Sequence, residues 1–217
     1  FVEGFKYCEA NNIEMLMEML DDTVCAVMFE AVQGEGGVIA LDEKFVKTII
    51  DECQKRDILT ICDEVQTGVG RTGKFLASMW FDVKPNITTL AKGLAGGVPI
   101  GVCLADEKCC DVLSAGTHGS TFGGNPICCA GGMAVLDTVL EDGFLDEVIK
   151  KGEYIKEKLS DVEEIEGFDG LGIDEAHQIK AEAVNVVFIC PVGNGIHQIL
   201  ADHAPFGGGV VAAGRAV

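Results

Sequence analysis

Lys92 lies in the run TLAKGLAGG (Thr89 to Gly97), 29 residues after Asp63, the acid that ends the apolar run Ile58 to Cys62 and opens DEVQTG. A lysine in a small-residue turn offers an amine that can condense with an aldehyde. An acid at the end of a buried strand can hold a proton on a pyridine nitrogen, so that the ring accepts electrons. Together they are the minimum equipment for pyridoxal phosphate chemistry. Taken singly, each has a plainer reading as a strand-end carboxylate and a surface lysine. The set is what carries weight: Glu30 in FEAVQGEGG, Asp63 and Gln66 in DEVQTG, Lys92 in LAKGLAGG, and Ser120 and Thr121 in HGSTFGGNP. Each falls at a strand end or in the loop beyond it, where open α/β sheets place their ligands.

The elements that must position these groups are legible from periodicity. Asn12 to Leu20 reads as a helix with Ile13, Leu16, Met17 and Leu20 on one stripe, and Val24 to Phe29 as a short buried strand. Gln33 to Gly37 is a glycine-rich loop. Asp42 caps a helix running to about Arg56, with Phe45, Ile49 and Cys53 at helical spacing. Ile58 to Asp63 is the next strand, and Ile87 to Leu90 and Ile100 to Ala105 are strands flanking Lys92. Asp106 to Leu113 reads as a short helix, Pro126 to Leu140 as a longer one started by Asn125 and a first-turn proline, and Phe144 to Leu159 as a charged amphipathic helix. Strands alternating with helices predict an α/β fold built on a mostly parallel, doubly wound sheet. Trp80 is expected in the core. From about Gly167 charges thin out and glycines multiply, with no capped helix and no clear alternation.

Composition bounds the rest. The 217 residues are 48% apolar, which supports a packed core. A net charge of −19 argues against nucleic acid and anionic membrane surfaces, because phosphate recognition needs clustered Lys and Arg. The ten cysteines include the adjacent pairs Cys109/Cys110 and Cys128/Cys129 but no C-x-x-C, so neither a disulfide framework nor a metal site is indicated. Free thiols among apolar residues, no apolar run of membrane-spanning length and no signal-peptide pattern predict a cytoplasmic chain. A nucleotide-binding decoy is also present. Gly68 to Lys74 matches G-x-x-x-x-G-K, but Phe75 stands where a P-loop needs Ser or Thr, and the acidic strand precedes the loop instead of following it.

The ordered motifs FEAVQGEGGV, CDEVQTGVGRTGKF, LAKGLAGGVPIG and HGSTFGGNP, over roughly residues 1–165, resemble the class III pyridoxal-phosphate aminotransferases of fold type I. HGSTFGGNP with QGEGGV is most similar to the acetylornithine aminotransferases of arginine biosynthesis; ornithine and 4-aminobutyrate aminotransferases are near relatives. The resemblance implies that Lys92 binds the cofactor aldehyde and then moves the proton between substrate Cα and cofactor C4′. As a free amine it would need its pKa depressed by burial or positive charge. Asp63 would pair with the pyridinium nitrogen, and Gln66 would lie near the phenolic oxygen, with Glu64 and Val65 completing that loop around the cofactor. Thr121 would hold the phosphate, reaching across from a partner subunit of a homodimer, and Ser120 would contact substrate. Glu30 would balance an arginine in the substrate pocket. His118 and Arg71 are scaffold in this reading. The implied reaction transfers an amino group from N2-acetylornithine, or a similar ω-amino donor, to 2-oxoglutarate.

Departures from the family pattern qualify that expectation. Relatives are much longer, chiefly at the N-terminal side, where they carry a phosphate-cradling glycine-rich loop, a ring-stacking aromatic and a substrate arginine. Ala31 replaces the proline of EPVQGEG, and EGFDGLGIDE (Glu166 to Glu175) lacks the arginine of R-G-x-G-L. Residues 1–140 are therefore expected to form the C-terminal half of the cofactor-binding large domain, and residues 141–217 a partial, divergent small domain. An inactive fragment of such an aminotransferase is the second hypothesis, and a P-loop NTPase a remote third.

Overall fold

Apolar, β-branched residues framed by polar turns build the centre of the molecule. The structure, a computed structural model, describes residues 3–35 and 38–160, and beyond them only the backbone of four short strands. The elements run β1 (Phe5–Glu9), α1 (Ile13–Met19), β2 (Ala26–Phe29), β3 (Val32–Gln33), β4 (Ile39–Ala40), α2 (Glu43–Lys55), β5 (Leu59–Asp63), β6 (Ile87–Leu90), β7 (Gly101–Ala105), α3 (Pro126–Val139) and α4 (Phe144–Leu159). Backbone strands β8 (Phe168–Asp169), β9 (Ala176–His177), β10 (Val184–Ile189) and β11 (Val210–Ala212) follow. The main sheet has the order β1-β10-β2-β5-β6-β7-β11.

Its heart, β2-β5-β6, is parallel: α2 makes the crossover from β2 to β5, and residues 64–86 the one from β5 to β6. β7 pairs antiparallel with β6, Leu90 opposite Val102 and Ile87 opposite Ala105. Only residues 91–100 join the two strands, too few for a parallel crossover, so the chain turns back at Lys92.

One face of this sheet is sealed by α1 and α2. Leu16, Phe45, Val46, Ile49 and Cys53 pack on Val27, Phe29 and Cys62, all buried. A fully buried aromatic such as Phe45 contributes about 1.5–3 kcal/mol relative to exposure. Helix ends follow sequence chemistry in part. Asn12 accepts from the Met15 N–H (3.0 Å), and Asn125 from those of Ile127 and Cys128 (3.0 and 3.4 Å), with Pro126 in the first turn. Asp42 holds the cap position without a side-chain cap bond; its own N–H donates to Asn11 Oδ1 (2.8 Å). The buried stripe of α1 also differs, since Met17 is exposed while Met15 and Met19 pack on the core.

Two expectations fail outright. Asp106 to Leu113 forms hydrogen-bonded turns, with the N–H groups of Cys109 and Cys110 both donating to the Asp106 carbonyl, and no helix propagates. The Asp106 side chain takes the N–H groups of Lys108 and Cys109, an Asx-type turn that competes with helix. Trp80 is not core. It lies in the 3-10 turn Ala77–Phe81, is 37% exposed, donates to the carbonyl and hydroxyl of Thr72 (3.2 Å each) and stacks under Lys74. Ala77 and Phe81 take the buried places of that turn instead.

Candidate active site

The parallel register of β5 and β6 creates the site. Asp63, the last residue of β5, stands opposite Thr89, and Lys92 follows three residues later. A separation of 29 residues in sequence thus becomes adjacency at the carboxyl edge of neighbouring strands. β2 pairs with β5 with Phe29 opposite Cys62, which sets half-buried Glu30 level with Asp63 on the same edge.

Lys92 opens the 3-10 turn Lys92–Ala95. Its backbone is left-handed, with φ 45, a conformation that costs a non-glycine residue about 1–2 kcal/mol. The turn is over-determined from below. Leu94 and Ala95 are buried, and α3 approaches so closely that a Cβ on Gly131 would lie 3.1 Å from the Ala95 carbonyl oxygen. Strain of this kind is often found at active sites, though Asn11, Val38, Asp57, Val69 and Asp82 share the left-handed φ. The Lys92 ammonium donates to Gln66 Oε1. Of the two settings expected for Lys92, burial or nearby positive charge, burial is not found: the residue is exposed.

Asp63 is oriented by two donors on one oxygen. Its Oδ1 accepts the Val65 N–H (2.9 Å) and the Thr89 hydroxyl (3.2 Å), so Oδ2 remains available to a ligand. Thr89 was not singled out in the sequence; its place opposite Asp63 is the signal that finds it.

The neighbouring Glu64 does something different. Fully buried, its carboxylate accepts the N–H groups of Ala77 (2.9 Å) and Ser78 (2.8 Å) and the Thr67 hydroxyl (2.9 Å). It bolts the loop carrying Val65 and Gln66 to the turn behind it. Burial pushes the adjacent Cys62 thiol well up, and the negative Glu64 and Asp63 push it further.

The remaining candidates are not hydrogen-bonded to this group. Ser120 and Thr121 are exposed, on a loop closed by its own bonds from Thr117 and His118 to the Ser114 carbonyl. No hydrogen bond among the described residues ties either to Lys92, Gln66 or Asp63. Arg71 is exposed as well. The glycines of the P-loop decoy have a packing role: a Cβ on Gly73 would stand 2.3 Å from Ile149 Cγ1, and one on Gly70 2.9 Å from Leu145 Cδ2. They let α4 lie against the loop, no α-helix opens at Lys74, and the phosphate-cradle reading is excluded.

A sheet edge bearing a strained lysine, an oriented acid and an amide is a group whose comparison with known proteins decides the family. The family model for class III aminotransferases matches residues 3–172. The chain belongs to the class III aminotransferases. Among curated members, the acetylornithine aminotransferase of Caldanaerobacter subterraneus subsp. tengcongensis is 53% identical over 156 residues, covering 72% of this chain and 39% of the relative. The ornithine aminotransferase of Toxoplasma gondii, in a structure with partial occupancy of PLP at its active site, superposes with TM-score 0.75 at 32% identity, over 88% of this chain and 51% of that one. The taurine:2-oxoglutarate aminotransferase of Bifidobacterium kashiwanohense, solved with PLP and glutamate, gives TM-score 0.70 at 33% identity, over 77% and 39%. The chain thus spans between about two-fifths and half the length of these class III relatives. Among the described residues no helix is long and apolar enough to cross a membrane.

Proposed function

We propose that this edge is the lysine-bearing part of a pyridoxal 5′-phosphate site. We further propose that the enzyme it belongs to transfers the amino group of N2-acetylornithine, or a similar ω-amino donor, to 2-oxoglutarate in arginine biosynthesis. The observation that carries the reading is the convergence of the Lys92 amine on the Gln66 amide beside an Asp63 carboxylate with one oxygen left open. Amine, amide and carboxylate match the aldehyde, phenolic oxygen and ring nitrogen of that cofactor, so the donor set fits it. Bound there, the cofactor would supply an electron sink for charge developing at substrate Cα. Asp63 would keep the ring nitrogen protonated through Oδ2. Lys92 would hold the cofactor and then carry the proton at Cα. Gln66, Val65 and Glu64 would form the wall beside the ring, Glu64 through the loop it fixes. Glu30 would face the substrate side.

The exposed loop with Ser120 and Thr121 supports a homodimer in which these two residues serve the partner's site, Thr121 at the phosphate. Free thiols at Cys8, Cys53, Cys62 and Cys103 fit a cytoplasmic location.

The exposure of Lys92 favours a second reading, a chain that captures the cofactor without turnover. One experiment separates the two. The purified chain is incubated with pyridoxal 5′-phosphate, reduced with borohydride and mapped by peptide mass spectrometry, while a parallel sample is assayed for glutamate formation from acetylornithine and 2-oxoglutarate. Labelling confined to Lys92 with glutamate production supports the enzyme, and labelling without glutamate supports the incompetent chain. Labelling spread over surface lysines, with Lys92 no more reactive than Lys84 or Lys108, would overturn both.

A further inference from the structure

We infer that Gly34 is a positioning residue for the Lys92–Gln66 pair, and that glycine is required there for room and not for backbone freedom. A Cβ built on Gly34 would lie 1.8 Å from Gln66 Nε2, 2.6 Å from its Cδ and 3.2 Å from its Cγ. These are its three nearest neighbours, and all belong to the one side chain. The Gln66 amide therefore lies across the bare Cα of Gly34 while its other edge, Oε1, accepts the Lys92 ammonium.

Gly34 itself is held. Its carbonyl accepts the Val38 N–H (3.3 Å), and that of Ala31, three residues earlier, accepts from Leu41 (3.0 Å), closing the β3–β4 hairpin. Gly34 is absent from the residues with left-handed φ, so an alanine meets no backbone penalty. A methyl at position 34 meets the far end of a flexible side chain on a fixed loop, and the side chain gives way. Gln66 then rotates off Lys92. Three loops, after β3, after β5 and after β6, are linked through this single contact, although only two of them carry groups that touch the reacting amine. The consequence for cofactor capture rests on the lysine reading above; the geometric assignment does not.

The test uses the full chain and two readouts. In the first, the side-chain amide resonances of Gln66 are followed by NMR in wild type, Gly34→Ala and Lys92→Ala. Gly34→Ala is expected to move them to the position seen when Lys92 is absent, leaving backbone resonances beyond the hairpin and the 63–67 loop in place. In the second, borohydride-trapped labelling of Lys92 by pyridoxal 5′-phosphate is expected to slow about tenfold in both Gly34→Ala and Gln66→Ala, with no further loss in the double variant, the non-additivity expected of groups acting through one contact. Unmoved Gln66 resonances, or additive losses, would overturn the assignment. If Lys92 is not labelled in wild type, the lysine reading fails and the resonances alone decide Gly34. Should Gly34→Ala not fold, Gly34→Ala/Gln66→Ser removes the side chain it strikes: recovery of folding places the clash at Gln66, and failure to recover refutes it.

Discussion

Glu64 is the residue whose loss the structure prices most clearly. Its carboxylate is wholly buried, and each oxygen is committed: Oε2 to the Ala77 N–H and the Thr67 hydroxyl, Oε1 to the Ser78 N–H and the Cys62 thiol. Glu64→Gln keeps the shape and replaces one oxygen with an NH2 group. The orientation with the amide oxygen at the Oε2 position keeps the two stronger donors and turns the NH2 toward the Ser78 N–H and the Cys62 sulfur, a weak acceptor. Two buried donors then face each other. An unsatisfied buried group costs about 1–3 kcal/mol, and the lost bond was to a carboxylate, so the expected destabilisation is about 2–4 kcal/mol. Against a typical stability of about 5–15 kcal/mol this is a large fraction. Urea unfolding of wild type and variant supplies the difference at equal slope, and amide hydrogen exchange at Ser78 reports the broken contact directly. A Glu64→Gln protein within about 0.5 kcal/mol of wild type, with Ser78 equally protected, would refute the claim that this carboxylate fastens the loop.

Asp63→Asn is expected to retain cofactor at Lys92 yet slow any transamination by up to about a hundredfold, since a lost ionic partner is worth up to about 3 kcal/mol; undiminished turnover removes Asp63 from its role. At the surface, the hydrogen bond from Lys6, helped by Thr23, lowers the Asp21 pKa to about 2. The folded-state value lies below the ordinary one, so the small contribution of this pair is complete above about pH 4 and fades as pH falls toward 2. NMR titration checks the midpoint, and Lys6→Met should raise it. Burial raises the Cys53 thiol to about 12, and Cys62 is more deeply buried still. Iodoacetamide at neutral pH should therefore modify half-exposed Cys110, Cys128 and Cys129 in the native chain and spare Cys53 and Cys62 until it unfolds; early labelling of Cys62 would contradict its burial.

Much of the fold was legible along the chain because its signals are local. Helix α4 spans the expected Phe144–Leu159, β6 the expected Ile87–Leu90, and α3 begins where Asn125 and Pro126 mark a start. The antiparallel return of β7 follows from a short connection, a fact of length visible beforehand but outweighed by the general expectation of parallel strands. The turns at 106–113 and the surface place of Trp80 were missed because an Asx turn and a nearby hydroxyl outcompeted residue-type preference. The small C-terminal domain expected over 141–217 lies largely outside the described residues.

The candidate site divides along the same line. Residue type and position alone marked Lys92, Asp63, Gln66 and Glu30 as chemistry at strand ends, since an amine, an acid and glycine-bounded loops are written locally. Their mutual distances are not. Tertiary structure decided that Asp63 meets Thr89, that Gln66 takes the Lys92 ammonium across the bare Cα of Gly34, and that Glu64 faces inward as a fastener. It also left Ser120 and Thr121 exposed on the surface. Those outcomes depend on strand register and on which side chain fills a shared volume, and both are settled only when segments distant in sequence pack together.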